Sequence, residues 1–103
     1  MNIEERIINA IENGVQLGKR YSFSGDDKIK WSSIGLQKYK GKYKVYIDEI
    51  EEEKMSSEEY SRESCENFDT LNRAFNYIEK TTRISYSELS SCKGQKIFNP
   101  EFF

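Results

Sequence analysis

The chain has 103 residues, 36% hydrophobic, 33% charged and 14% aromatic, which fits a single domain over residues 1–103 and is too rich in rings for a disordered polymer. No apolar run approaches the ~20 residues of a membrane span, and the start Met1-Asn2-Ile3-Glu4-Glu5-Arg6 is acidic where a secretory signal is basic. With no histidine, the commonest general base and metal ligand is missing, so the expectation is a cytoplasmic binding module with no catalytic residue, no cofactor and no metal.

Ile3, Ile7, Ile8 and Ile11 recur at helical spacing among polar residues and predict an amphipathic helix that Gly14 ends. Val15, Leu17, Tyr21 and Phe23 share one parity and predict a strand, closed by a turn at Ser24-Gly25-Asp26-Asp27. Ile29 to Tyr39 and Lys42 to Ile50 flank Lys40-Gly41, a glycine-containing hairpin turn. If the turn is two residues long, Ile34 faces Ile47, Leu36 faces Val45 and Lys38 faces Tyr43 on one side. Trp31 then pairs with Ile50, Ser33 with Asp48, Gly35 with Tyr46 and Gln37 with Lys44 on the other, and a slip by one residue would mix the two sets.

Glu51 to Glu59 reads as an exposed turn and Tyr60 to Cys65 as a fourth strand. Asp69 is placed to cap a helix through Thr82 whose inward stripe is Leu71, Ala74, Phe75 and Ile78. Ser85-Tyr86-Ser87-Glu88 is a capping box for one further helical turn. The aperiodic tail from Lys93 to Phe103 carries Ile97, Phe98, Phe102 and Phe103 and is expected to dock along the body. The fold class that follows is α+β: an N-terminal helix, an antiparallel sheet of three to four strands, a C-terminal helix and a docked tail. Two helices either share one face of the sheet, leaving the other to water or a partner, or cover one face each.

The net charge of −2 conceals strong zoning. Residues 19–46 hold eight bases against Asp26 and Asp27, whereas residues 47–69 hold ten acids against Lys54 and Arg62. Such segregation steers partners without dictating a fold. Within the acidic zone Asp48, Glu49, Glu51, Glu52, Glu53, Glu58, Glu59 and Glu63 are candidates to dock a basic partner, or else simply keep a strand end soluble. No spacing there resembles a calcium loop. The basic zone interleaves Lys38, Tyr39, Lys42, Lys44 and Tyr46, a combination that suits single-stranded nucleic acid; a pI near 5.3 argues against that use. Trp31, Tyr46 and Tyr60 are the candidate apolar anchors, since Trp and Tyr dominate interface hot spots. Cys65 and Cys92 lie too far apart for a chelating motif and are expected to be reduced thiols.

The stretch Phe75-Asn76-Tyr77-Ile78-Glu79-Lys80-Thr81-Thr82-Arg83-Ile84-Ser85-Tyr86-Ser87-Glu88-Leu89, followed by Lys93-Gly94-Gln95-Lys96-Ile97-Phe98-Asn99-Pro100, resembles the immunity proteins of bacterial toxin systems, contact-dependent growth inhibition among them. The motif covers the last third of the chain, and the small, acidic, histidine-free character covers the rest. What the resemblance implies is a non-catalytic protein that binds one cognate toxin, a nuclease in many cases, and blocks its active site. A nuclease needs a cationic cleft for phosphates, so the acidic zone is a fitting competitor. The alternative is a small nucleic-acid-binding or regulatory domain built on the Lys/Tyr hairpin. The sequence leaves the oligomeric state open.

Overall fold

A computed structural model describes residues 2–92 and 95–103; Lys93 and Gly94, at the start of the expected tail, lie outside the described residues. Helix α1 (Ile3–Glu12) opens on Asn2, whose side chain accepts from the Glu5 amide at 2.8 Å, and it stops at Gly14, where φ is +82°. Ile7 and Ile11 are its buried residues, while Ile3, expected on the same stripe, is largely exposed in the first turn.

Four strands follow as a meander: β1 (Leu17–Gly25), β2 (Lys28–Tyr39), β3 (Lys42–Glu51) and β4 (Tyr60–Phe68). The β2–β3 ladder has the predicted register, Ile34 opposite Ile47 and Trp31 opposite Ile50. Lys40 and Gly41 both have positive φ, at 51° and 80°, the backbone whose twist suits a two-residue hairpin turn. The β1–β2 turn is shorter than predicted. Only Asp26 and Asp27 turn, both again with positive φ, because Ser24 and Gly25 continue the ladder to Lys28. Val15 precedes the strand and is exposed. Between β3 and β4 the expected open turn is a 3-10 helix at Glu52–Ser57.

Helix α2 (Leu71–Thr81) buries Ala74, Phe75 and Ile78. Its cap is Thr70, which accepts from the Arg73 amide; Asp69, the predicted cap, instead pairs with Lys42. The capping box at Ser85 and Glu88 forms as expected, and a two-residue strand β5 (Ser90–Ser91) then joins the free side of β1. The antiparallel sheet thus has five strands in the order β4-β3-β2-β1-β5 rather than the three to four predicted, because a two-residue strand carries no readable alternation. Among the described residues no helix is long and apolar enough to cross a membrane.

Both helices pack on one face, closing Leu17, Ile34, Leu36, Val45 and Ile47 into the core with Ile7, Ile11, Phe75 and Ile78. The opposite face is covered over part of its area by the C-terminal tail. Gly18 and Gly35, paired across β1 and β2, leave the room: a Cβ on Gly18 would fall 2.3 Å from Ile97 Cδ1, and one on Gly35 2.7 Å from the Phe98 ring. Phe98 is buried and stacks on Tyr46 at 5.4 Å, and Phe103 meets the Tyr46 ring edge-on. Phe102, expected to dock with them, points to solvent.

Candidate protein interface

Strand alternation sends Ile29, Trp31, Ser33, Asp48 and Ile50 to the tail's face of the sheet, beyond the end the tail reaches. A register shift between Glu49 and Ile50 sets Tyr60 opposite Ile50. The 3-10 helix then brings Met55 and Glu58 over the same corner. The result is a cleft of about 200 Å³ lined by Arg20, Trp31, Asp48, Ile50, Met55, Glu58 and Tyr60. Trp31, Tyr60 and Met55 are 36%, 45% and 46% exposed, and Ile29 beside them is also exposed. Larger clefts flank β5, but they lack this convergence of rings and acids.

The eight predicted acids do not form one surface. Glu49 and Glu51 point to the helix face, where Glu49 pairs with Arg62 at 3.5 Å and Glu51 with Lys28 at 3.4 Å. Glu53 also pairs with Lys28. Glu52, Glu58, Glu59 and Glu63 form no ion pair among the described residues, and of these Glu58 lines the cleft. Glu52 accepts from the Trp31 indole N–H at 3.4 Å, Glu58 lines the wall, and Glu59 precedes Tyr60.

Asp48 and Tyr46 lie deeper than an exposed docking surface would have them. Asp48 is 8% exposed, with Oδ1 accepting from the Ser33 amide at 2.9 Å. The Tyr46 hydroxyl lies 3.0 Å from Asp48 Oδ2 and 2.7 Å from Glu63 Oε2. One hydroxyl carries one proton, so the phenol donates to one carboxylate at a time. Burial pushes the Asp48 carboxyl above its ordinary range, against the pull of the Tyr46 and Ser33 hydrogen bonds and of Arg20. Burial, then the bond to Glu63, holds the phenol proton far more tightly than in water. Tyr46, at 4% exposure under Phe98 and Phe103, is a prop beneath the cleft and offers a partner almost no surface.

The Lys/Tyr set expected for nucleic acid is dispersed. Tyr39, Lys42, Lys44 and Tyr46 do share a face, but Lys44 is buried and donates to the Phe103 carbonyl, Lys42 pairs with Asp69, and Tyr46 lies under the tail. Lys38, on the helix face, pairs with Glu12 at 2.9 Å. Cys65 and Cys92 are both free thiols whose pKa values burial raises. The sequence missed Met55, whose place over the cleft depends on a 3-10 helix with no apolar period, and Arg20, the cleft's only cation among the described residues. Comparisons of the chain with protein-family models, with curated proteins and with solved structures give no match.

Proposed function

We propose that this chain is an immunity-type inhibitor that acts in the cytoplasm without catalysis, binding a basic toxin domain of the nuclease kind through the Trp31–Tyr60 corner and so occluding the toxin's substrate cleft. The observation that carries this reading is the corner itself. Exposed Trp31, Met55 and Tyr60 stand with Glu58 in the cleft wall and Glu52 on the Trp31 indole, two carboxylates that form no ion pair within the described chain. Rings supply anchoring area, and unpaired acids supply the field that speeds capture of a cationic partner. A nucleic-acid role is disfavoured, since the unpaired charge next to the exposed rings is mostly negative.

The test co-expresses the chain with the product of the neighbouring reading frame in a tester bacterium. The parent chain should restore growth. A variant carrying Glu52→Lys, Glu58→Lys and Glu59→Lys should fold normally, associate about ten-fold or more slowly at low salt, and fail to protect. Undiminished protection and unchanged association by the reversed chain would overturn the assignment, as would a neighbouring product that the chain does not bind.

A further inference from the structure

The cleft at the centre of that corner has a chemistry more specific than general attraction to positive charge. At about 200 Å³ it is smaller than the roughly 300–1,000 Å³ of small-molecule sites, so it suits one long side chain rather than a cofactor. Its walls are the rings of Trp31 and Tyr60 and the thioether of Met55, and its acids are Asp48 and Glu58. Asp48 is already removed from water by the fold, yet no cation lies within 4 Å of it among the described residues. A carboxylate offers about four acceptor positions; the Ser33 amide, the Ser33 side chain and the Tyr46 hydroxyl engage three. The vacant capacity and the flat walls match a planar fork of N–H donors that stacks on aromatic faces.

We infer that the Trp31–Asp48–Tyr60 cleft receives one arginine side chain of the partner protein, its guanidinium hydrogen-bonded to Asp48 and stacked on the rings. The inference rests on the interface reading above and names the group that the interface grips. Arginine is favoured over lysine because guanidinium is planar, is more weakly hydrated and stacks on aromatic faces. Arg20, exposed and already lowering the pKa of the Asp48 carboxyl through space, stands at the cleft as an internal competitor.

Trp31 is the single tryptophan of the chain, so its fluorescence reports on the cleft directly. The probe is N-acetyl-arginine methylamide, titrated against the isolated protein, with the neutral citrulline analogue and the lysine analogue as controls. The arginine probe should change Trp31 emission saturably, with a dissociation constant in the millimolar range. Citrulline should bind about ten-fold more weakly or worse, and lysine should fall between.

Asp48→Asn should lose about ten-fold in affinity. Its fold is protected, because the amide oxygen keeps the Ser33 bond and the amide nitrogen donates to Tyr46, which then gives its proton to Glu63. Tyr60→Ala removes a wall at an exposed position and should weaken the probe without disturbing the core. Arg20→Ala should leave the affinity unchanged or tighten it. A response equal for arginine and citrulline, one that survives Asp48→Asn, or none up to the probe's solubility limit overturns the inference. These outcomes are read on Asp48, Tyr60 and Arg20, whereas the growth-protection test is separated from them by also reading Glu52→Lys with Glu59→Lys, which leaves the cleft lining intact.

Discussion

Gln16 is the residue on which docking of the tail turns, and Gln16→Leu isolates its contribution. Its carboxamide is 6% exposed and treats the tail as a neighbouring strand would. Nε2 donates to the Phe98 carbonyl at 2.9 Å and to Gln37 Oε1 at 2.8 Å, while Oε1 accepts from the Ile97 amide at 2.8 Å and more weakly from the Phe98 amide at 3.4 Å. Leucine nearly fills the same space, so the substitution removes hydrogen bonds without opening a large cavity. Two well-formed bonds to the tail, at about 1 kcal/mol net each, come to about 2 kcal/mol. That free energy is roughly a 30-fold increase in the equilibrium constant for tail release.

Amide hydrogen exchange measures this directly. Exchange at Ile97 and Phe98 should accelerate by roughly that factor, and near-ultraviolet dichroism should show the Tyr46 ring losing the Phe98 stack in the released fraction. Unchanged protection at Ile97 and Phe98 would refute the reasoning. It would mean that the Phe98 and Phe103 rings, the Ile97 contact at Gly18 and the Lys44 bond to the Phe103 carbonyl hold the tail without Gln16, and that the carboxamide merely fills space.

Two further outcomes follow from the same face of the sheet. Gly35→Ala places a methyl group 2.7 Å from the Phe98 ring; the ring must move, and unfolding in urea should show a loss of about 1–3 kcal/mol. For Asp48, the folded-state pKa is raised by burial above its ordinary 3.8, so the protonated carboxyl stabilises the fold fully below about pH 4. That stability is lost as the pH rises through the folded value. Asp48→Asn should therefore be more stable than the parent at pH 7 and lose the advantage near pH 4, as read from thermal midpoints across that range; a constant difference with pH would count against a strained carboxylate.

Much of the sheet is legible in the sequence, and the reason is local. In β2 and β3 the apolar parity and a two-residue turn at Lys40-Gly41 impose the same register, so each constraint checks the other. Helix α2 is legible for a similar reason, its stripe repeating through Ala74, Phe75 and Ile78. The tail's path is not, because a segment without period can lie anywhere that offers apolar area. A signal for it does exist: Gly18 and Gly35 fall opposite each other in adjacent strands, and paired strand glycines mark a place where another chain segment comes close. The acids fail differently. Nearness along the chain groups Asp48 with Glu49 and Glu51, but a strand turns neighbours to opposite faces, so Glu49 and Glu51 meet Arg62 and Lys28 while Asp48 goes under the cleft.

Tyr46 joins the tail to the cleft, and that linkage bears on how the surface works. Its ring stacks on Phe98 and meets Phe103 edge-on, and its hydroxyl sits on the carboxylate at the cleft floor. With the tail docked, the phenol is held in place and fixes the Asp48 oxygens before any partner arrives, which lowers the ordering cost of binding. Release of the tail would let water reach Tyr46 and free the phenol that holds the Asp48 oxygens, loosening the carboxylate at the cleft floor. A chain cut short before Ile97 should thus keep Glu52, Glu58 and Glu59 at the rim and still attract a basic protein, but grip an arginine side chain less tightly.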